Sequence, residues 1–168
     1  FRPRSVAAIA ALTRWAADHG RSVAARGMGH SVYGRSQAAD GIVVDMSGHD
    51  RIRHVDAERI VVDAGATWRA VLSQTLPAGR TPPVLTNYLD LSVGGTLSVG
   101  GIGGTTHQHG MQTDNVLELE VVTGRGQRER RAGDDPELPE PGAHAVEQLG
   151  VLAGRARHDL APAGHHFQ

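Results

Sequence analysis

Fifteen residues, Ser92 to Thr106, limit this chain more than any other stretch. SVGGTLSVGGIGGTT holds six glycines, no charge, and otherwise small or β-branched side chains apart from Leu97. Such a run predicts neither an ordinary amphipathic helix nor a regular strand, but a bare backbone open to close approach. Val93, Leu97, Val99 and Ile102 punctuate it, with Leu85, Leu89 and Leu91 before it and Val116, Leu117 and Leu119 after it. These anchors predict an ordered loop where a flexible linker would have none. Its amides, with the hydroxyls of Ser92, Thr96, Ser98, Thr105 and Thr106 as extra donors, suit a ligand bearing a diphosphate or a flat polar ring.

A second glycine-rich turn lies upstream, Arg26-Gly27-Met28-Gly29-His30-Ser31. Glycines two apart after a strand let backbone crowd a phosphate, yet the third glycine of a Rossmann fingerprint is out of place and no regular helix pattern follows. His30, flanked by glycine, is expected to be an exposed imidazole able to act as a nucleophile. His107 and His109 lack a third ligand at a recognised spacing, and His165-His166 sits in a polar tail, so no metal is expected.

Composition narrows the chemistry. All 17 basic residues are arginine and there is no cysteine, which removes a lysine Schiff base, a P-loop lysine, a thiolate nucleophile and cysteine-ligated metal. A net charge of −1 gives no field for nucleic acid or an acidic membrane as partner. No run reaches the roughly 18 apolar residues that span a bilayer. With no signal peptide in the chain shown, a cytoplasmic location is the expectation. The 168 residues suit one domain.

Helical spacing predicts a first helix from Ser5 to His19, capped by Ser5, and a second from Thr67 to Leu76, capped by Thr67. Strands are expected at 21–25, 41–46, 51–55, 59–64, 116–123, 127–131 and 151–160, the pair at 51–64 as a hairpin and 127–131 as a charged edge. Residues 133–142 read as loop and 143–149 as a short helix, while Asp45 and Asp63 end apolar runs where an aspartate caps a turn. The order helix, strands, helix, strands indicates an α+β fold.

Taken together these segments resemble a known family, the FAD-linked oxidases of the vanillyl-alcohol oxidase type, and among them the cytokinin dehydrogenases. The resemblance rests on the Arg-Gly-x-Gly-His-Ser turn, Gly-Ile-Val-Val-Asp-Met at 41–46, Val-Asp-Ala-Gly-Ala-Thr-Trp at 62–68, Thr-Asn-Tyr-Leu at 86–89, Ser-Val-Gly-Gly-Thr-Leu-Ser at 92–98, His109-Gly110, and Asn-Val-Leu-Glu-Leu-Glu-Val-Val-Thr-Gly at 115–124. They run in the family's order over about residues 1 to 130, and the match degrades over 127–168. The resemblance implies a PCMH-type FAD-binding domain of two small α+β subdomains with FAD between them. It implies that His30 bonds covalently to the 8α-methyl of the flavin. It also implies that Ala25, Gly27, Gly29 and Ser31 hold the diphosphate side and that Ser92, Ser98 and Ile102 line the cofactor from the glycine stretch. Relatives with a second covalent anchor use a cysteine, which this chain lacks.

Two departures qualify what the resemblance implies. The family's Thr-Asp-Tyr-Leu aspartate, which accepts a hydrogen bond from the substrate amine, is Asn87 here, and an amide cannot take up a proton at neutral pH. The family's substrate-cap domain finds no counterpart in 168 residues. The expectation is an FAD-dependent oxidoreductase that oxidises a small molecule by hydride transfer to flavin N5, its site completed by a second subunit or by self-association. The alternative is a non-catalytic flavin-fold module that binds a ligand or partner.

Overall fold

The computed structural model describes residues 1–132 and 152–162. Helix α1 spans Val6–Asp18, with Ser5 accepting a hydrogen bond from the Ala8 amide as its N-cap. Its buried face, Val6, Ile9, Ala10 and Ala16, follows the spacing read from the sequence. Strands β1 (Val23–Arg26) and β2 (Ile42–Asp45) pair in parallel as a separate two-stranded sheet. A hairpin of β3 (Ile52–Val55) and β4 (Arg59–Asp63) follows, then α2 (Trp68–Thr75), capped by Thr67 as expected.

The main sheet is antiparallel and five-stranded. Strands β6 (Val116–Val122), β7 (Arg128–Ala132) and β8 (Leu152–Asp159) complete it in the order β3-β4-β8-β6-β7, so the arginine-rich β7 lies at one edge. Charged side chains on an edge discourage pairing with another chain. The short β5 (Arg80–Thr81) pairs with β9 (Ala161–Pro162). A mainly antiparallel sheet with helices packed beside it is the α+β arrangement that the order of elements predicts.

Two apolar clusters hold these layers. In one, Val6, Ile9 and Ala10 of α1 pack with Val44, Met46, Ala64 and Val122. The other gathers Ile60, Val62, Trp68, Val71, Val93, Leu97 and Val116. Ala64 and Ala66 fall in different clusters, so the tight turn between β4 and α2 links them. There Gly65 lies so close to the Met46 carbonyl that a Cβ would overlap it, and its amide donates to His49 O at 2.8 Å.

Three readings are corrected. The glycine stretch does form helix where its sequence predicts none, one turn at α3 (Val93–Leu97), while a second turn, α4 (Thr106–His109), starts at its last residue. Ser92 caps α3, and the amides of Val93 and Gly94 donate to Ala66 O and Ala64 O, so tertiary bonds overcome poor glycine propensity. Asp63 does more than cap a turn: it is fully buried, accepts two hydrogen bonds from the Arg53 guanidinium and lies 3.4 Å from His49 Nε2. A carboxylate so placed needs a charged partner, which a local turn reading cannot supply. Of the anchors in the stretch, Val93 and Leu97 are buried, but Val99 and Ile102 are exposed. Asp45 does cap a turn, accepting from Ser47 N and Oγ. The loop at 133–142 and helix at 143–149 fall outside the described residues.

Gly65→Ala should lower unfolding free energy by about 1–3 kcal/mol or more, because backbone cannot rotate out of the way. Gly104→Ala, with nothing within 4 Å of the added carbon, should be neutral or stabilising by up to about 1 kcal/mol. Urea unfolding of the two variants checks the contrast.

Candidate cofactor site

Strand β1 delivers the turn at Gly27 directly onto the N-terminus of α3. A Cβ on Gly27 would overlap Ser92 Oγ and would lie 3.3 Å from Ser92 Cβ and 4.0 Å from Gly95 Cα. The two glycine-rich bends, far apart in sequence, therefore meet with only the small Ser92 side chain between them. Gly29 has φ of 75°, in the left-handed region, and an added Cβ there would sit 3.0 Å from both Nε and Nη2 of Arg26. Glycine is required at both places, at Gly27 for contact and at Gly29 also for conformation. Among the described residues, the amides of Gly29, His30, Ser31 and Val32 donate to no other backbone group.

The far end of the glycine stretch is fixed from behind. Gln112 N donates to Gly101 O at 3.0 Å, and its side chain donates to Val84 O at 3.2 Å. Thr105 Oγ1 donates to Pro83 O at 2.7 Å, and a Cβ on Gly103 would overlap Leu85 O. The Leu89–Leu91 segment is tied to the start of α2: Arg69 N donates to Leu89 O, Trp68 N to Leu91 O, and the Arg69 guanidinium to both Asp90 oxygens at 2.6 and 2.9 Å. These bonds to Arg69, with smaller contributions from its charge and that of His30, hold the Asp90 carboxyl below the usual carboxylate range against a modest desolvation effect. Buried Trp68 donates through Nε1 to Thr96 Oγ1 at 2.9 Å.

The expected site residues fall as follows. His30 is exposed, and its ring lies 4.8 Å from that of Tyr88 at an interplanar angle of 59°. Asn87 is exposed on the same segment as Tyr88. Ala25 is half-buried opposite Val44, Gly27 and Gly29 line the turn, and Ser31 is exposed. Ile102 is exposed at the other bend. Ser92, however, is buried and accepts from Gly95 N, while Ser98 donates to Gly94 O. Thr96 and Thr105 also donate to carbonyls, and Thr106 accepts from Gly103 N. The hydroxyls expected as ligand donors thus mainly fasten the backbone that carries them, because tight glycine turns leave groups that need local partners.

His107 and His109 are exposed on α4, and among the described residues no group of three or more histidine or acidic side chains could hold a metal. Tyr88, Arg69 and Asp90 were not picked out as site residues from the sequence. Only Tyr88's place in Thr-Asn-Tyr-Leu could have drawn attention to it.

Around this junction the surface is apolar. Among the described residues, six of the ten large apolar side chains left exposed, Met28, Val32, Tyr33, Tyr88, Val99 and Ile102, belong to the two bends and the Tyr88 segment. Tyr33 is 94% exposed with φ of 58°, an unfavourable conformation for a bulky residue. Unpaired amides beside an apolar rim fit a ligand that is anionic at one part and flat and apolar at another.

The comparisons agree. The family model described as FAD binding domain matches residues 1–130. The chain belongs to that FAD-binding family. FAD is its cofactor, and the close junction of Gly27 with Ser92, the amides of the His30 turn that bond to no other backbone group among the described residues, and the apolar rim fit it. An uncharacterized oxidoreductase in the fasciation locus of Rhodococcoides fascians is 46% identical over 151 residues, 89% of this chain and 34% of that protein. Cytokinin dehydrogenase 2 of Oryza sativa subsp. japonica is 43% identical over 152 residues, 84% of this chain and 27% of its own length. Cytokinin dehydrogenase 5 of the same plant is 41% identical over 183 residues, spanning this whole chain and 34% of the relative. This FAD-binding chain therefore spans about a third or less of the length of the curated relatives it matches.

Gly27→Ala should drive the two bends apart and lower FAD affinity by about tenfold or more, as a misplacement of roughly 1 Å does at a preorganised site. Adding Ser92→Ala removes the overlapping Oγ and should recover part of the loss. Fluorescence titration with FAD reads both; equal affinity for wild type and Gly27→Ala would show that the junction does not shape the site.

Proposed function

We propose that the chain is the flavin-carrying part of an FAD-dependent oxidoreductase and that His30 is the point of covalent attachment. The observation that carries this reading is His30 itself, exposed on the turn that begins at the Gly27–Ser92 contact, with an aromatic ring beside it. An imidazole there is accessible as a nucleophile, and no cysteine exists to compete. Attachment replaces the imidazole N–H and one C–H of the ring methyl with a C–N bond. Both hydrogens and two electrons pass to dioxygen, giving hydrogen peroxide. FAD, when bound, supplies a two-electron acceptor at flavin N5 for hydride from a small-molecule substrate.

The chain's own residues hold and orient. Ala25, Gly27, Gly29 and Ser31 form the turn proposed to take the diphosphate, while Ser92, Ser98 and Ile102 shape the opposite wall. FAD is proposed to lie between two packing units, one around α1 and the parallel strands and the other around the main sheet. Asn87 can donate to or accept from a substrate N–H or O–H but cannot remove its proton. The names of the plant relatives make a cytokinin-like secondary amine the first substrate to try. The exposed apolar rim calls for a cover, and a second subunit or another polypeptide segment is proposed to provide it.

Acid-precipitated wild-type protein should retain the yellow colour in the pellet, and His30→Ala should release it to the supernatant. Colour that stays with the His30→Ala pellet overturns the attachment site. Asn87→Asp should speed reduction of the bound flavin by such an amine about 10²- to 10⁴-fold through general-base assistance. Anaerobic stopped-flow absorbance measures it, and an unchanged rate removes Asn87 from the proposed site.

A further inference from the structure

The turn that carries His30 gives its side chain little restraint of its own. Gly27, Gly29 and Gly34 surround it, Gly29 and Gly34 have positive φ, and the imidazole is exposed. The ring contact that orients it comes from Tyr88, at 4.8 Å and 59°. Tilted aromatic pairs at this separation are attractive and directional.

Tyr88 is in turn held from both sides. Thr86 Oγ1 donates to Tyr88 O at 3.2 Å. On the other side Leu89 O accepts from Arg69 N, and the Asp90 carboxylate takes the two-pronged bond from the Arg69 guanidinium. Arg69 adjoins Trp68, which is buried in the main core. A continuous set of contacts therefore runs from the core through the first turn of α2 and the Leu89–Asp90 segment to the His30 ring.

We infer that Tyr88 is a positioning residue for His30, kept in place by the Arg69–Asp90 pair, and that this cluster sets how fast the flavin becomes attached. The inference rests on the reading of His30 as the attachment point. A nucleophile must hold one orientation toward the carbon it attacks, and a flexible glycine-flanked histidine gains that orientation only from its neighbours. The contact with His30 is ring to ring, so the ring alone should suffice. The exposed Arg69–Asp90 pair contributes little to overall stability, so its loss should leave the fold intact.

Flavin-free protein from a riboflavin-starved host, mixed with FAD in air, gives the attachment rate as acid-insoluble flavin against time. Tyr88→Ala should slow attachment about tenfold or more, Tyr88→Phe should match wild type, and Arg69→Asp should slow it while Arg69→Asp with Asp90→Arg restores it. FAD affinity, measured in the His30→Ala background so that binding is read apart from bond formation, should change less than roughly threefold with Tyr88→Ala. Attachment at the wild-type rate in Tyr88→Ala overturns this inference alone. Wild-type flavin fully released by acid overturns the attachment reading beneath it. Acylation of His30 by diethyl pyrocarbonate, followed by peptide mass spectrometry, reads the same cluster without flavin. Removing the Tyr88 ring should raise that rate by opening the imidazole to the reagent, and an unchanged rate overturns the positioning role.

Discussion

Gly27 rests against Ser92 with no room for a methyl group between them, and the site is built outward from that contact. It places the end of the parallel strand pair on the cap of a one-turn helix that belongs to the other core. A larger residue at either bend would separate the two. Glycine at 27 lets the main chain come this close to the Ser92 hydroxyl, at the cost of chain entropy on folding. In the glycine stretch that cost is offset by fastening: α3 is tied to the Ala64–Ala66 turn, and Gly100–Gly101 to Gln112 and Thr113.

The hydroxyl groups show the same logic. Ser92, Ser98, Thr96, Thr105 and Thr106 all bond to nearby main chain. Glycine loops have few side chains with which to satisfy carbonyls, so small hydroxyl residues between the glycines serve that need. That leaves the backbone amides of the His30 turn and the apolar rim as the surfaces open to a ligand. The rim is costly to leave in water, and a flat cofactor of matching polarity would cover it.

The buried Asp63, with Arg53 and His49, stands behind this arrangement. Asp63 ends β4 at the point where the chain enters the turn that docks α3. A carboxylate there must keep its cationic partner, so the strand end is held in one position relative to the hairpin. The cofactor site thus depends on an ionic cluster that does not belong to it.

Much of the scaffold could be read from residue order. Periodicity and caps marked α1 and α2 at Ser5 and Thr67, alternation marked β6, and the charge of 128–131 marked an edge strand. The spaced motifs identified the FAD-binding family, because a ligand of one fixed shape is met by glycine-rich turns at fixed points along the chain. Local rules could not foresee the helical turn at Val93–Leu97, the burial of Asp63, or the approach of Tyr88 to His30. Each depends on a partner at least ten residues away, whose position is fixed only when the sheet closes. Sequence alone determined which backbone could bend and which side chain could react. Tertiary packing decided where those bends meet and which neighbour holds the histidine, because contacts between distant segments exist only after the core has formed.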